Sequence, residues 1–443
     1  MNPATELKSA YTECNPDVPL SAGNIRYVDL SKVRGEEQNF VDIIAKAINY
    51  NLPEDNKCYR QLVTGHRGCG KSTELLRLQT KLEQDKFFVV YFDVELMLNL
   101  GDIDYIDILL LIAHQVEAAF RKQEIDLDPT LLEDVYQWLA DTVLSKERQK
   151  DIHANVGIEA ETGVTIPLFS KLLARVSAGI RSNDLERQEI RSTLRKEWYL
   201  FVEKLNTLLD QARTKARKNY YRDLVVIVDG LEKVFYEPER DGNGHFTGES
   251  THSLLFIKHA EQLDIPNCHL IYTVPISLLF NANLSHAFDI DTPVIIPMVN
   301  IKKAEGVEQL VTLVEKRLVI EDIFADRTLV EKLVKMSGGA VRDLMRLIRI
   351  ACLNTTMENI DSGSVERAIR SFIREYSRLI QEKDIEALKY VNQNKRVTGD
   401  EIFSRLLHNR VVHEYQNGES WADLHPAVRE IQWVMDRLND STQ

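Results

Sequence analysis

Residues 65–72 read Gly-His-Arg-Gly-Cys-Gly-Lys-Ser and follow the short run Tyr59–Thr64. Gly65 and Gly70 permit backbone angles that a side chain would block, so successive N–H groups can turn inward around a phosphate. An amphipathic helix is expected from Lys71 to about Gln84, and its N-terminus adds the positive end of its dipole. The spacing G-x-x-x-x-G-K-S between a strand and a helix therefore predicts a phosphate-binding loop.

The loop and one later strand predict the contacts to a nucleotide and a metal ion. Lys71 carries a charge to the β- and γ-phosphates, and the Ser72 hydroxyl is a ligand for Mg²⁺. The buried run Asp223–Asp229 (DLVVIVD) delivers the Asp229 carboxylate to the edge of the sheet beside the loop, where it can hold Mg²⁺. The cofactors are thus ATP and Mg²⁺, with Ser72 and Asp229 at the metal. The residues expected around the nucleotide are Gly65, Arg67, Gly68, Cys69, Gly70, Lys71, Ser72 and Thr73.

Further side chains are candidates for catalysis together with Lys71 and Asp229. Glu232 can act as a general base toward water, or it can be a helix-start carboxylate or the partner of Lys233 in an ion pair. Thr273 lies at the tip of the strand Cys268–Thr273. There it can form a hydrogen bond near the γ-phosphate, or it can have a structural role only.

Two arginines of the following helical region are candidates for contact with the terminal phosphate. Arg342, in the first turn of a predicted helix, can reach the γ-phosphate or face solvent. Arg317 is a weaker candidate for an arginine finger that reaches a neighbouring subunit. No arginine occurs between Arg240 and Arg317, so a finger near the strand that ends at Thr273 is missing.

The alternation of strands and helices predicts an α/β fold with a parallel sheet covered on both faces. Helices are expected at Glu36–Asn49 and, as one long helix, Asp184–Lys218. A small hairpin is expected at Val156–Ile166, and a last strand at Thr292–Val299. The predicted divisions are an extended N-terminal segment (1–35), the α/β core (36–300, with a helical insertion at 100–220), a helical lid (301–356) and a C-terminal module (357–443).

The C-terminal module has the pattern of a helix followed by a hairpin. A helix at Asp400–Leu407 precedes two alternating runs, Val411–Tyr415 and Ser420–Leu424, which flank Asn417-Gly418. An Asn-Gly pair in that position is a strong hairpin signal. This pattern predicts a winged-helix-like module.

Composition limits the classes of partner. The 443 residues carry a formal net charge of −13, which argues against a general coat on nucleic acid. Lys171–Arg222 is the exception, with 13 basic and 6 acidic side chains, and predicts one basic helical surface. The five cysteines are widely spaced and no long apolar run or leader pattern is visible, so we expect a cytoplasmic protein without a membrane span.

The order of these motifs resembles the AAA+ class of P-loop ATPases, nearest its origin-recognition, replication-loader and STAND branches. The elements that carry the resemblance are the glycine loop, VVIVDGLE (225–232), the strand tip Tyr-Thr (272–273) and GGAVRDLMRL (338–347). Val-Arg-Gly-Glu (33–36) also resembles the motif at which that module begins. The resemblance implies a P-loop NTPase core that binds ATP where core and lid join. It places Lys71, Ser72, Asp229, Thr273 and Arg342 at the Walker A, Walker B and two sensor positions.

One departure from the class pattern affects the expected activity. AAA+ chains place the catalytic glutamate directly after the Walker B aspartate, whereas here Gly230 intervenes and the acid is Glu232. The DGLE arrangement is closer to the STAND pattern, which implies slow ATP hydrolysis and a switch that holds ATP. By the same resemblance we expect assembly with like subunits or an effector partner, in bacterial anti-phage defence.

Two alternatives remain at this point. The hairpin and the basic run favour a DNA-binding loader or transposition-type regulator. The hairpin, however, carries Glu414, Glu419 and Asp423 and no Lys or Arg, so protein contacts are favoured over DNA. A kinase-like small-molecule phosphotransferase is the other alternative, and no acceptor motif supports it.

Overall fold

The computed structural model describes residues 3–35, 39–51, 58–143, 168–417 and 419–439. Its first part contains two short helices, α1 (Leu7–Glu13) and α2 (Ser31–Arg34). Helix α1 buries Ala10 and ends against the buried Cys14. The prediction of a wholly extended N-terminal segment is therefore wrong, because a helix this short is stabilised by tertiary packing rather than by propensity.

The central part of the chain alternates strands and helices around a long helical insertion. In chain order its elements are α3 (Phe40–Tyr50), β1 (Arg60–Thr64), α4 (Lys71–Gln84), β2 (Phe88–Asp93), α5 (Tyr105–Lys122), α6 (Pro129–Val143), α7 (Leu168–Ser182), α8 (Asp184–Lys196), α9 (Trp198–Lys218), β3 (Leu224–Asp229), β4 (Pro238–Arg240), β5 (Phe246–Ser250), α10 (Thr251–Ser253), a π-helical turn (Leu254–Lys258), α11 (Ala260–Leu263), β6 (His269–Val274), α12 (Leu278–Asn281), α13 (Leu284–Ala287) and β7 (Val294–Ile295).

Five of these strands form a parallel sheet in the order β2-β3-β6-β1-β7. Asp93 lies opposite Asp229, and Val63 lies opposite Thr273. The carboxyl ends of β1, β2, β3 and β6 therefore meet at one edge, and the loop at 65–70 leaves β1 at that edge. The predicted α/β fold with a parallel sheet is confirmed. Strand β7 is shorter than predicted, since Pro293 and Pro297 beside it have no N–H to donate.

The insertion packs onto the sheet through one hydrophobic cluster that α5, α8 and α9 share with β2 and β3. The long helix predicted at Asp184–Lys218 is two helices, because the chain leaves helical geometry at Glu197 between α8 and α9. The hairpin expected at Val156–Ile166 lies outside the described residues. The short hairpin β4–β5, which the sequence did not predict, follows β3 instead.

The predicted basic surface of the insertion is partly neutralised within the fold. Seven of its basic side chains form ion pairs with carboxylates, and Arg187, Arg191 and Arg213 are buried. The pairs are Arg175–Glu186, Arg187–Asp102, Arg191–Asp107, Arg195–Asp104, Lys204–Asp134, Arg213–Asp223 and Arg217–Asp223. About half of the cations in this run, seven of thirteen, are thus paired with carboxylates within the fold.

The rest of the chain is helical apart from one hairpin. Its elements are α14 (Ala304–Glu315), α15 (Ile320–Ile323), α16 (Arg327–Met336), α17 (Val341–Asn354), α18 (Ser362–Leu379), α19 (Ile385–Asn394), α20 (Glu401–His408), β8 (Val412–Asn417), β9 (Glu419–Leu424), α21 (Pro426–Arg429) and α22 (Gln432–Asn439). The hairpin β8–β9 pairs as its Asn-Gly turn predicted. One hydrophobic cluster includes residues of α14, α16 and α17 and of both hairpin strands, so the lid and the C-terminal helices share a core. Within the described ranges no helix has both the length and the apolar character needed to cross a membrane.

Candidate functional site

The loop at 65–70 has the backbone of a phosphate cradle. Gly65, Gly68 and Gly70 all have positive φ angles, of 147°, 86° and 109°. A Cβ atom at Gly65 would lie 2.4 Å from the Ile296 carbonyl oxygen, and one at Gly68 would lie 2.4 Å from the Arg342 Cβ. Glycine is therefore required at both positions. Because α4 begins directly after the loop, the free N–H groups of its first turn face the same space.

Lys71 and Glu232 meet inside this cradle. The Lys71 Nζ donates to the carbonyl oxygens of Gly65 (2.9 Å) and His66 (3.0 Å) and lies 3.1 Å from the Glu232 Oε1. Both side chains are buried. Burial raises the pKa of Glu232, but the charges of Lys71 and then Lys233 outweigh it and lower the pKa below its ordinary value. Glu232 is thus held as a carboxylate beside the Lys71 ammonium group.

Asp229 occupies the end of β3, next to Ser72. Its Oδ2 accepts a hydrogen bond from the Tyr91 hydroxyl (2.7 Å), and its Oδ1 accepts one from the Gly230 N–H (2.8 Å). The Ser72 side chain also hydrogen-bonds to this carboxylate. Burial, together with the charge of Glu232, raises the pKa of Asp229. A hydroxyl and a carboxylate placed together in this way are suitable ligands for Mg²⁺.

Thr273, in the neighbouring strand β6, contacts the turn that carries Glu232. Its Oγ1 accepts a hydrogen bond from the Leu231 N–H (3.0 Å), and its side chain hydrogen-bonds to Glu232. This turn leaves β3 at Gly230, whose φ is 87°. Thr273 therefore positions the carboxylate from the neighbouring strand.

Arg342 joins the lid to the phosphate loop. Its backbone N–H donates to the Gly68 carbonyl oxygen (3.1 Å), so the first turn of α17 abuts the cradle. Its guanidinium group forms an ion pair with Asp17 of the N-terminal segment. That segment also crosses the start of α4, where the Leu20 N–H donates to the Thr73 Oγ1 (3.2 Å).

Arg317 is not available as an arginine finger, which corrects that hypothesis. It is 7% exposed, and its Nη1 donates to the carbonyl oxygens of Leu313 (2.8 Å) and Arg26 (3.4 Å). Its guanidinium group therefore holds the N-terminal segment against the lid within the same chain.

Several residues at the site were not identified from the sequence. The buried Arg34 donates to the Cys69 carbonyl oxygen of the loop, Tyr91 holds Asp229, and His66 accepts a hydrogen bond from the Glu414 N–H of β8 (2.8 Å). The position of Tyr91 near the end of the strand beside β3 was a usable signal. The contact of His66 with the hairpin was not, since 348 residues separate the two partners.

Comparisons with known proteins give a distant likeness. No protein-family model and no curated protein sequence matches the chain. Among solved structures, Drosophila ORC bound to DNA is similar at 11% identity over 98% of this chain and 92% of that chain, with a TM-score of 0.40. Cdc6p from Pyrobaculum aerophilum is similar at 11% identity over 96% and 100% of the two chains, with a TM-score of 0.39. A Walker-type ATPase of Pyrococcus abyssi is similar at 13% identity over 94% and 99%, with a TM-score of 0.38.

Proposed function

We propose that this chain is a switch ATPase that binds Mg-ATP and hydrolyses it slowly to ADP and phosphate. The observation that carries the proposal is the convergence of Lys71, Asp229 and Glu232 at the mouth of the glycine loop, with Ser72 beside Asp229. The donor set fits the ligand, since backbone N–H groups and an ammonium group suit phosphates, and a hydroxyl and a carboxylate suit Mg²⁺.

Each residue of the site has a role in this proposal. Lys71 and the amides of the loop would hold the β- and γ-phosphates, and Ser72 and Asp229 would hold the metal ion, which neutralises phosphate charge. Glu232 would take a proton from the water that attacks the terminal phosphorus, which releases ADP and phosphate. Thr273 would keep Glu232 in place during this step.

The contact between the lid and the loop supports a switch. Helix α17 touches the cradle through Arg342, whose guanidinium group is paired with Asp17. A terminal phosphate would compete with the Asp17 carboxylate for this arginine. ATP and ADP would then favour different arrangements of the lid, and only that difference in affinity can drive a change of state.

Two substitutions test the binding and hydrolysis steps separately. Lys71→Ala is expected to weaken ATP binding at least about tenfold, because a charged hydrogen-bond donor is lost. Glu232→Gln is expected to retain ATP binding while hydrolysis slows about a hundredfold or more. Titration calorimetry measures the first and phosphate release the second. Lys81→Ala on α4 and Glu237→Gln after β3 are the matched controls. Unchanged hydrolysis in Glu232→Gln would exclude it as the base.

Assembly and biological role follow from the resemblance and belong to the same proposal. We expect ATP to favour assembly with like subunits or with an effector protein, in an anti-phage system. Mass photometry in ADP and in a non-hydrolysable ATP analogue tests assembly, and equal mass distributions would argue against it. A phage challenge of cells that carry the wild type or Lys71→Ala tests the defence role, with protection lost in the variant.

The structure weakens the DNA-binding alternative. Seven cations of the basic run are paired with carboxylates, five with carboxylates of the insertion and two with Asp223 beside it. In the hairpin, Glu414 and Asp423 are buried, and Asp423 forms ion pairs with Lys302, Lys395 and Arg429. A fluorescence-anisotropy titration with duplex DNA at two salt concentrations tests this alternative, and salt-sensitive binding would restore it.

A further inference from the structure

A cavity of about 300 Å³ opens beside the phosphate loop, between the loop, the N-terminal segment and the C-terminal helices. Four arginines line it, and they come from separate parts of the chain: Arg67 from the loop, Arg342 and Arg346 from α17, and Arg410 from the turn after α20. The other charged side chains on its wall are Asp17 and Glu375. The lining therefore carries two more positive charges than negative ones.

Three of the arginines are held by carboxylates. Arg342 pairs with Asp17, Arg346 pairs with Glu375 (2.7 Å), and Arg410 pairs with Asp343 (2.6 Å).

Arg67 differs from the other three, because it has no carboxylate partner within 4.0 Å among the residues that the structure describes. Burial, and then the charges of Arg342 and Arg410, lower its pKa, since like charges gathered in a partly buried space repel one another. The cavity thus contains one arginine without an ion-pair partner in the described part of the chain, and the more distant carboxylates of Glu232 and Glu95 only partly offset its repulsion from the other arginines.

The chemistry of the guanidinium group identifies the ligand class. Its planar fork of N–H donors matches the oxygens of a phosphoryl group and binds them in pairs. The volume is sufficient for such a group and for part of a larger ligand. The carboxylates of Asp17 and Glu375 form ion pairs with Arg342 and Arg346, as the oxygens of a bound anion would.

We propose that Arg67, Arg342, Arg346 and Arg410 form a second phosphate-binding site, distinct from the cradle of backbone amides. The phosphoryl group comes either from the end of a nucleotide held in the loop or from a separate phosphate compound. The first source rests on the proposed function, whereas the second does not. A phosphoryl group displaces Asp17 from Arg342 and so removes one of the contacts between the N-terminal segment and the lid.

The position of Arg67 connects the two sites. Arg67 and His408 line this cavity and also the small cavity that contains Glu232 and Gly65. A terminal phosphate bound by Lys71 therefore has Arg67 as a neighbour. When the phosphoryl group is the terminal phosphate of the nucleotide, Arg67 contributes a positive charge from the same chain. Arg317 cannot contribute one to a neighbouring subunit, because its guanidinium group is bound within its own chain.

Calorimetric titrations of the full chain test the proposal and separate the two sources. Arg67→Gln/Arg346→Gln is the test variant, and Arg327→Gln, which removes a paired arginine from α16, is its matched control. ADP, a non-hydrolysable ATP analogue and pyrophosphate are titrated, and pyrophosphate is also titrated into Lys71→Ala proteins to suppress binding in the loop.

A terminal-phosphate source predicts that the test variant binds the ATP analogue about tenfold more weakly or worse, with ADP affinity unchanged. A separate source predicts that Lys71→Ala still binds pyrophosphate and that the added Arg67→Gln/Arg346→Gln abolishes this. Asp17→Asn, which removes an internal competitor, should strengthen whichever interaction is present, and a misfolded protein would not do so. Unchanged affinities for the analogue and for pyrophosphate in the test variant would overturn the proposal. Absence of ADP binding to the wild type would instead contradict the proposed function, while the pyrophosphate titrations would still decide the second site.

Discussion

At the scale of single residues, the site depends on close approaches that tolerate no added atom. Gly230 lets the chain turn after β3, so that Glu232 comes to lie 3.1 Å from the Lys71 Nζ. A Cβ atom at Gly230 would lie 2.2 Å from the Asp93 Oδ1, and Asp93 is itself held by Lys233 (2.9 Å). Glycine is therefore required in this turn for two reasons, its positive φ angle and its close approach to Asp93.

A pair of substitutions separates these two causes. Gly244 has nearly the same φ as Gly230 (83° against 87°), but nothing lies within 4 Å of the position that a Cβ atom would take there. Gly244→Ala is expected to lower the free energy of unfolding by about 1–2 kcal/mol through backbone strain alone. Gly230→Ala is expected to lower the free energy of unfolding by roughly 1–3 kcal/mol more than Gly244→Ala does, because of steric overlap. It is also expected to slow ATP hydrolysis as Glu232 shifts. Urea unfolding followed by circular dichroism measures both, and equal losses would show that the contact with Asp93 is unimportant.

The residues that could be predicted from the sequence are those whose role is local. Lys71 and Ser72 follow the glycines directly, and Asp229 ends an apolar strand, so short-range pattern was sufficient for the position of each. Arg34 and Tyr91 act on partners that are 35 and 138 residues away. The contact of Arg34 arises from the path of the N-terminal segment, which no short window of sequence contains. The position of Tyr91 near the end of β2 was a signal only in combination with the strand order.

At the scale of elements, periodicity predicted the sheet strands and the lid helices because each buries one face or is wholly buried. It failed where burial depends on a distant partner. Helix α1 is only seven residues long, and the division between α8 and α9 interrupts a polar stretch that looked continuously helical. The cations of α8 were expected at the surface, and their carboxylate partners lie in the segment before α5 and at its start.

The ion pair between Arg191 of α8 and Asp107 of α5 gives a prediction for this network. Asp107 is 1% exposed, and burial raises its pKa against the opposing hydrogen bonds from Arg191. Arg191→Met leaves that carboxyl group buried without its cation, so we expect a loss of about 3–5 kcal/mol in the free energy of unfolding. Arg191→Met/Asp107→Leu should recover most of the loss.

Lys204→Met on α9 is the control for the Arg191 variant. Its partner Asp134 has a side chain that is 66% exposed, so a change of less than about 1 kcal/mol is expected. Urea unfolding of the three variants measures these effects. A loss for Arg191→Met no larger than that for Lys204→Met would show that the network is as weak as a surface pair.

At the scale of the whole molecule, the phosphate loop, the lid and the C-terminal hairpin meet at a group of buried histidines. His413 of β8 lies between His66 of the loop (5.2 Å between ring centroids) and His425 after β9 (4.7 Å). A Cβ atom at Gly338, before α17, would lie 2.8 Å from the His413 ring. The hairpin is therefore packed against both halves of the proposed nucleotide site.

Burial keeps these histidines neutral, and this has a consequence for stability. Burial is the main cause that lowers the pKa of His413 to about 4, with Asp343 opposing and Arg410 adding to the shift. The pKa values of His66 and His425 are also lowered by burial. In the unfolded chain a histidine has a pKa of about 6.5, so between about pH 6.5 and 4 the unfolded state binds more protons than the folded state. The stability that these neutral histidines contribute is therefore fully present above about pH 6.5 and is lost as the pH falls toward 4.

His413→Gln tests this prediction, because it removes one neutral buried imidazole and its share of the pH dependence. His413 accounts for up to about 3 kcal/mol of the loss between pH 7 and 4, from a shift of roughly 2.5 pH units at about 1.4 kcal/mol each. The variant should be less stable than the wild type at pH 7.5, and the difference should shrink or reverse near pH 4.5. His245→Gln is the control, since the His245 side chain is 80% exposed, and it should leave the profile unchanged. Urea unfolding at half-unit steps of pH measures the profiles, and parallel curves for wild type and His413→Gln would show that the hairpin docks without dependence on a neutral His413.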